Sequence, residues 1–251
     1  MSNQLENIDE TITIGSKTGQ YTGSAYPISI GPSYYSIVGY EPHGKGIMRY
    51  SDGTVYEGQW EHSNYSGTGT YTSKDEEYVG SWVNGIKSGH GKLTTGNGLF
   101  VYDGWFVNDQ RSGTGTRKCL ESGVSYTGQW SKDVPSGKGT WHWADGSWWE
   151  SKWKGSDGKT ATGSGRTRRL FSNGAIYEGE TTDHAMTGMG KITYLTGEVY
   201  RGKVRNSKKH GQGSVKTLDG LLYEGKWVND SKSGKFKVTD LVKGKVKNRY
   251  Y

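Results

Sequence analysis

The chain has 251 residues with 41 glycines, 10 tryptophans, 18 tyrosines and a net charge of +7. The glycines have no period of three and are accompanied by only 4 prolines, which excludes collagen, while 13% aromatic residues exclude a disordered chain. The sequence has no apolar run approaching the roughly 20 residues of a membrane helix, no secretory signal, and one cysteine, Cys119, which excludes an internal disulfide. We therefore expect a cytoplasmic protein in which aromatic rings pack against glycine.

The charge is distributed unevenly along the chain. Residues 1–100 contain 6 Lys and Arg against 10 Asp and Glu, whereas residues 161–251 contain 18 against 8. A chain with an acidic beginning and a basic end can orient itself against a charged partner. An uneven, merely solvated surface is the alternative interpretation.

Residues 1–43 contain fragments of a motif that becomes regular further along the chain. These fragments are Tyr21-Thr22-Gly23 and a tyrosine-rich stretch with Tyr34, Tyr35 and Tyr40. Arrays of repeats need atypical terminal units. We therefore predict that residues 1–43 form a degenerate repeat or N-terminal cap.

Residues 44–233 contain eight copies of a two-part motif with a period of about 23 residues. A Gly-x-Gly element comes first in each copy, and it starts at Gly44, Gly67, Gly89, Gly113, Gly137, Gly163, Gly188 and Gly211. An element similar to Tyr-x-Gly-x-Trp follows, and its opening aromatic residue is Tyr56, Tyr78, Tyr102, Tyr126, Trp149, Tyr177, Tyr200 or Tyr223.

The spacing within the motif predicts its structure. The distance from Gly-x-Gly to the aromatic residue varies between 11 and 14 residues, but the distance from there to the next Gly-x-Gly is 11 in seven cases of eight. The segment of variable length, from Gly-x-Gly to the aromatic residue, contains Asp-Gly or Asn-Gly pairs such as Asp52-Gly53, which supply the positive φ angles of hairpin turns. The segment from the aromatic residue to the next Gly-x-Gly is called the constant part. Each repeat is therefore predicted to be one β-hairpin with its turn near this pair. The constant part is predicted to connect successive hairpins.

Side chains two residues apart share one face of a strand. The clearest copies thus place two aromatic residues and the glycine between them on one face: Tyr56, Gly58 and Trp60; Tyr126, Gly128 and Trp130; Tyr223, Gly225 and Trp227. The glycine leaves room for a ring of the neighbouring hairpin to lie across the backbone. A stack of hairpins can bury this face, although one hairpin cannot. We predict an all-β fold, an elongated single-layer twisted antiparallel sheet of stacked β-hairpins with atypical capping ends.

Residues 234–251 depart from the motif and are predicted to form a basic C-terminal cap. Phe236 takes the place of the second glycine. Beyond it, alternation predicts that four basic residues share one face of a strand: Lys243, Lys245, Lys247 and Arg249. Lysines on an edge strand discourage further strand pairing, and a surface for an anionic partner is the alternative role.

The segments YEGQW (Tyr56–Trp60) and YEGKW (Tyr223–Trp227), each followed by a short loop and a Gly-x-Gly-like element, resemble MORN repeats. The resemblance covers residues 44–227 and implies the stacked-hairpin fold. Its departures are Ser151 in place of the central glycine, and Thr181 and Val204 in place of the final aromatic residue. The resemblance implies repeats without catalytic residues. It also implies membership of cytoskeletal or ciliary assemblies such as radial-spoke heads, or of membrane-junction complexes.

Titratable residues do not converge on a predicted catalytic or metal site. Glu57, Glu178 and Glu224 recur with the motif, and we expect them to be exposed and paired with neighbouring lysines. The 6 histidines are scattered over different repeats without metal-ligand spacing. We predict no enzyme activity, no catalytic residue, no cofactor and no metal.

A cluster of tryptophans is the first candidate for protein interaction. Strand alternation places Trp141, Trp143, Trp149 and Trp153 on the packed face and Trp148 on the other. Core packing explains the first four, whereas an exposed tryptophan commonly anchors an interface. Trp148 is therefore the leading candidate, followed by Trp141 and Trp143.

The basic C-terminal third is the second candidate surface. Arg166 and Arg168 lie on one predicted strand and join the four basic residues of the cap. This surface fits acidic phospholipids or an acidic protein such as tubulin. Nucleic acid is the weakest candidate partner, because no recognised reader motif accompanies the charge.

These features favour a non-catalytic structural scaffold that binds other proteins of a large multisubunit assembly, in the cytoskeleton or in the axoneme of a cilium or flagellum. The alternatives are a peripheral membrane protein that binds acidic phospholipids and a regulatory partner of a separate enzyme. Homodimerisation is compatible with all three.

Overall fold

The computed structural model describes residues 4–29, 37–156, 160–183 and 185–251. Tyr34 and Tyr35 of the tyrosine-rich stretch, and His184, lie outside this part of the chain. The described residues form β-strands and turns without a helix, and thus without a helix able to span a membrane. The predicted all-β class is confirmed.

The chain divides into two compact units, Met1–Glu121 (unit 1) and Ser122–Tyr251 (unit 2). In each unit, every strand pairs antiparallel with the next strand of the chain, which confirms the predicted stack of hairpins. The strands of unit 1 are β1 (Glu6–Ile14), β2 (Lys17–Ser29), β3 (Ile37–Tyr50), β4 (Val55–Glu61), β5 (Asn64–Thr72), β6 (Glu76–Val83), β7 (Ile86–Thr95), β8 (Phe100–Val107) and β9 (Gln110–Cys119). Those of unit 2 are β10 (Ser125–Ser131), β11 (Val134–His142), β12 (Trp148–Ser156), β13 (Thr160–Leu170), β14 (Ile176–Thr182), β15 (Ala185–Thr193), β16 (Val199–Arg205), β17 (Lys208–Lys216), β18 (Leu221–Val228), β19 (Ser231–Asp240) and β20 (Lys245–Tyr250).

Two kinds of turn join the strands. The Asp-Gly pairs form turns as predicted: between β3 and β4 the amide of Gly53 donates to the carbonyl of Tyr50 at 3.0 Å. The constant part of the motif contains a second, two-residue turn in which both φ angles are positive. These turns are His62-Ser63, Asn84-Gly85, Asn108-Asp109, Lys132-Asp133, Asn206-Ser207 and Asn229-Asp230. Positive φ at both central residues characterises the type I′ turn. The predicted connection between hairpins is therefore itself a hairpin turn, which explains its fixed length.

The first glycine of Gly-x-Gly occupies a β-bulge. Gly58 of β4 pairs with Gly69 of β5, but the next residue, Gln59, pairs with Ser66, so that Gly67 and Thr68 are left without partners on β4. Gly67 has φ of 56°, a left-handed conformation that favours glycine. The side-chain oxygen of Gln59 accepts a hydrogen bond from the amide of Thr68 at 2.8 Å. The bulge therefore explains why this glycine recurs.

Two serines in equivalent turn positions are predicted to respond differently to replacement by glycine. Ser63 and Ser207 have φ of 61° and 60°, which strains a residue with a Cβ. We expect Ser63→Gly to raise the free energy of unfolding by about 0.5–1 kcal/mol, the relief of strain less the entropy cost of glycine. Ser207→Gly should give no gain, because the Ser207 hydroxyl accepts the amide of Met186 at 3.1 Å. Urea unfolding of both variants measures the difference, and an equal gain in the two would contradict this account.

In each unit one face of the sheet, here called the aromatic face, carries the core. Tyr56 and Trp60 are 0% and 2% exposed, as the alternation of side chains predicts. The ring of Tyr56 lies edge-on to Trp60 at 5.0 Å and to Trp82 of the next hairpin at 5.7 Å. It also covers Gly69 on β5, where an added Cβ would come within 2.7 Å of three ring or hydroxyl atoms of Tyr56. Rings of one hairpin thus lie across the second Gly-x-Gly glycine of the next hairpin. The prediction placed such a ring over the central glycine, but Gly58 instead faces the backbone of Gly69 and the hydroxyl of its own Tyr56.

The hydroxyls of the buried motif tyrosines and the N–H groups of four buried tryptophans have backbone partners. The Tyr56 hydroxyl donates to the carbonyl of Gln59, beside the bulge, at 2.9 Å. Six other tyrosine hydroxyls likewise donate to the carbonyl three residues further along the chain: those of Tyr21, Tyr78, Tyr102, Tyr126, Tyr177 and Tyr200. The Trp60 indole N–H donates to the carbonyl of Gly46 at 3.2 Å, and Trp82, Trp153 and Trp227 bond equivalent glycines. The motif therefore supplies the core and satisfies its polar groups together.

Burial of these phenols predicts a loss of stability in alkali. Desolvation raises the pKa of Tyr21, Tyr78 and Tyr126 from 10.0 to about 12, and that of Tyr177 and Tyr200 likewise. The folded state favours the neutral form of each buried phenol. The stability that these phenols contribute is therefore complete below pH 10 and is lost as the pH rises towards 12. We expect the β-sheet circular dichroism to disappear in that interval, together with a second rise in tyrosinate absorbance. A single absorbance transition near pH 10, with folded structure retained at 12, would contradict the prediction.

Two departures from the motif are compensated locally. Trp149 replaces the tyrosine of its copy, and the hydroxyl of Ser151 bonds the Lys152 carbonyl at 3.4 Å, which a tyrosine would otherwise do. Phe236 is fully buried and its ring fills the space over Gly225 that tyrosine covers elsewhere. Tyr223 is accordingly only half-buried.

Candidate functional site

Two carboxylates of the motif form ion pairs across the outward face, the side of the sheet opposite the aromatic face. Glu178 lies 3.0 Å from the Lys191 ammonium and 3.5 Å from the Arg168 guanidinium. The hydrogen bond from Lys191 lowers the pKa of Glu178. Glu224 lies 3.6 Å from Lys237. The expected pairing is confirmed for Glu178 and Glu224, whereas Glu57 is exposed without an ion pair among the described residues. The part of the chain described contains no group of three or more His, Cys, Asp or Glu able to hold a metal.

The tryptophan cluster is divided between the two faces of unit 2. Trp149 and Trp153 are each 4% exposed, and their rings lie 5.1 Å apart on the aromatic face. Trp141 is half-buried on the same face, 6.4 Å from Trp153, and Trp143 is half-buried in the turn after β11. Trp148 lies on the outward face as expected but is half-buried rather than exposed, with the Arg168 guanidinium 5.4 Å from its ring. Trp148 and Arg168 thus form one composite surface.

A charged groove of about 510 Å³ crosses the outward face of unit 2 beside Trp148. Two carboxylates, Glu150 and Glu178, line it together with six cations, which are Lys138, Lys152, Arg166, Arg168, Lys191 and Arg201. Strand pairing brings these charges together across β13 to β16. Arg168 pairs with Glu178, Glu178 with Lys191, and Lys191 with Arg201. Long basic side chains with exposed heads can bind an anionic surface without enclosing it.

The basic residues near the C-terminus lie on the other face of unit 2. Lys243 falls in the turn before β20 rather than on the strand, contrary to the predicted alternation from residue 243. Lys247 pairs with Val238 and Arg249 with Phe236, both buried on the aromatic face, and Lys245 shares their parity. The two predicted groups of basic residues therefore lie on opposite faces of unit 2. The sequence did not reveal this separation.

Unit 1 has an exposed apolar residue on its outward face that the sequence analysis did not single out. Trp105 is 51% exposed, with Val107 of the same strand 53% exposed. Its ring lies 6.0 Å from that of His90, which pairs with Asp103 at 3.3 Å. Phe106, four residues after Tyr102, takes the buried position of this copy. Trp105 lies three residues after Tyr102, and this odd spacing could have indicated that it faces outward.

The MORN repeat family model matches residues 38–55, 56–76, 78–100, 102–119, 126–148, 200–216 and 223–235, about half of the chain. Alsin of Rattus norvegicus is 33% identical over 81 residues, which are 30% of this chain and 5% of that protein. Alsin of Homo sapiens is 32% identical over the same length and shares. The chain thus matches about a twentieth of the length of these relatives. A solved structure, the SAS-4 (dCPAP) TCP domain in complex with a proline-rich motif of Ana2 (dSTIL) of Drosophila melanogaster, is 15% identical. The match covers 78% of this chain and 96% of the chain in that structure, with a TM-score of 0.36.

The matched segments leave out residues 149–199, which include Ser151 and Thr181. Strands β12 to β15 nevertheless continue the same antiparallel pairing there. The recurring bulge, the ring over glycine and the hairpin stack agree with the seven matched segments. The chain belongs to the MORN-repeat family.

Proposed function

We propose that this chain is a non-catalytic scaffold that binds an acidic surface of another protein through the outward face of unit 2. The groove lined by six cations and two carboxylates carries this proposal. MORN repeats generally serve interaction roles, and the aromatic face of each unit is largely consumed by its own core. The outward face is what remains for partners, and Trp148 beside Arg168 supplies an aromatic anchor of the kind found at interfaces.

The separation of the basic residues favours a protein partner over a membrane. A bilayer is flat and reaches one face of a sheet at a time, so the groove and β20 cannot both meet it in one orientation. A protein partner can fit the groove alone. The test is affinity purification from native cells of the tagged chain and of Arg166→Glu/Arg168→Glu, with Lys216→Glu/Lys226→Glu as a matched control outside the groove. Partners lost only from the groove variant support the proposal, and an unchanged set of partners contradicts it.

We further propose that the assembly is cytoskeletal or ciliary, an axonemal or radial-spoke-like complex. The family resemblance supports this placement. Purification with and without a high-salt wash tests it by mass spectrometry. Axonemal or cytoskeletal proteins that survive the wash would support it, and a stoichiometric complex with one enzyme, with a changed enzyme rate, would replace it by a regulatory role.

Binding of acidic phospholipids is the second candidate function, and the cations of β20 favour it, because they lie on a strand exposed along its whole length. Liposomes containing phosphatidylserine test it with the variant Lys243→Gln/Lys245→Gln/Lys247→Gln/Arg249→Gln. Salt-sensitive binding that this variant loses and the groove variant keeps would support it. No binding at physiological salt would exclude it.

A further inference from the structure

The two outermost strands of the fold leave one edge each without a partner strand. Within the described residues, β1 pairs with β2 and β20 pairs with β19, and neither has a second neighbour. An unpaired edge presents amide and carbonyl groups that can pair with another chain. Both strands are largely exposed apart from two isoleucines of β1.

These two edges carry opposite charges. The nine residues of β1 include Glu6, Asp9 and Glu10 and no basic residue. The six residues of β20 include Lys245, Lys247 and Arg249 and no acidic residue. Pairing β1 with β1 or β20 with β20 would oppose like charges, which destabilises a sheet, whereas pairing β1 with β20 opposes unlike charges. The charges thus select one pairing out of three.

The spacing of the charges also agrees along the strands. Glu6 and Glu10 share the parity of the buried Ile8 and therefore face the aromatic side, as Lys245, Lys247 and Arg249 do. Antiparallel pairing of Glu10 with Lys245 brings Glu6 opposite Arg249. Asp9 points to the other face, where Gln20 and Thr22 already donate to it. Glu6 and Glu10 make no ion pair within the described chain and are available to a partner.

The backbone groups permit the same register. Gly234 and Tyr251 exchange two hydrogen bonds, so the odd-numbered residues of β20 bond β19 and the even-numbered ones direct their N–H and C=O outward. Ile14 and Lys17 flank the two-residue turn between β1 and β2, so the even-numbered residues of β1 bond β2 and the odd-numbered ones point outward. The register above pairs Val246 with Asp9 and Asn248 with Asn7, which are outward groups on both strands.

We propose that copies of this chain associate head to tail, with β20 of one copy pairing antiparallel with β1 of the next in the Glu10–Lys245 register. Such a contact is heterologous, because it joins two different surfaces of identical chains. The inference concerns contacts between copies and does not depend on the acidic partner proposed above.

Charge reversal at each edge tests the proposal with the full chain in sedimentation velocity at rising concentration. We expect the wild-type chain to self-associate and to dissociate as salt rises. Glu6→Lys/Glu10→Lys and Lys245→Glu/Arg249→Glu should each lower the association constant about tenfold or more. An equimolar mixture of the two variants should associate again, because each restores the opposite charge to the other. Recovery in the mixture also shows that both variants are folded.

Disulfide cross-linking tests the register. In a Cys119→Ser background, Glu10→Cys/Lys245→Cys should form dimers and larger species on oxidation. Glu10→Cys/Val246→Cys should not, since its two side chains face opposite sides.

The variant Lys216→Glu/Lys226→Glu controls for net charge in the sedimentation experiment. It changes two exposed lysines away from β20 and should associate like the wild type. A wild-type chain that stays monomeric at low salt, cross-links confined to single chains, or a mixture that fails to associate would each overturn the proposal.

Discussion

Replacing Gly58 by alanine is expected to lower the free energy of unfolding by about 3 kcal/mol, because the added methyl group meets backbone. A Cβ on Gly58 would lie 2.5 Å from the Cα of Gly69 and 2.7 Å from the carbonyl oxygen of Thr68. No side-chain rotation relieves these contacts, so β4 and β5 must move apart. Separation of the strands would also withdraw the glycine surface on which the Tyr56 ring lies. Urea unfolding followed by circular dichroism measures the change.

Gly39→Ala is the matched control for Gly58→Ala. Gly39 also lies on a strand of unit 1, has no left-handed φ, and would have no atom within 4 Å of an added Cβ. Alanine there should leave stability unchanged or raise it slightly, since it restricts the unfolded chain. Similar losses of stability in the two variants would show that the close approach of Gly58 to Gly69 is not the reason why alanine destabilises the fold at residue 58.

Tyr200 and Tyr223 open two copies of the same motif, but we expect their replacement by alanine to have different effects. Tyr200 is 0% exposed and donates to the Lys203 carbonyl at 2.6 Å, so Tyr200→Ala should cost about 3–5 kcal/mol. Tyr223 has been displaced by Phe236, whose ring lies over Gly225. Tyr223 is half-buried at the margin of the core, and the Lys232 ammonium lies 3.6 Å from its ring centre, so Tyr223→Ala should cost less, about 1–2 kcal/mol.

Phe236→Ala completes this comparison. The phenylalanine is 0% exposed, and its loss should cost about 3–5 kcal/mol, as much as that of a tyrosine at the same place over glycine. Chemical denaturation of the three variants gives the ranking. Equal costs for the two tyrosines would mean that Phe236 does not take over the position, and the account of the last repeat would then be wrong.

Much of the fold could be predicted because its signals are local. The interval of two between Tyr56, Gly58 and Trp60 fixes one face of a strand, and Asp52-Gly53 marks a turn. The two-residue turns were harder to recognise, because His62-Ser63 and Lys132-Asp133 contain no glycine despite positive φ angles. The length of eleven residues indicated a constant connection without showing that a hairpin turn lay inside it.

The candidate surfaces were less predictable, because faces on distant strands are related only through the register. Each bulge shifts the pairing, as at Gly58 and Gln59, and so interrupts a simple count of alternation. The sequence grouped Arg168 with Lys247 because both belong to the basic C-terminal third, although they lie on opposite faces of unit 2. Local alternation did assign Trp148 correctly to the face opposite Trp149.

The two kinds of turn give each unit two different rims. Successive strands are antiparallel, so the Asp-Gly and related variable turns gather at one rim, which also carries the Gly15-Ser16 turn, and the type I′ turns gather at the other. Insertions can enter the first rim without disturbing the ring-over-glycine contacts, whereas a single added residue at the second would break its type I′ geometry. Differences between repeats should therefore accumulate on the first rim during evolution. That rim is where related chains can acquire different partners while keeping the same core.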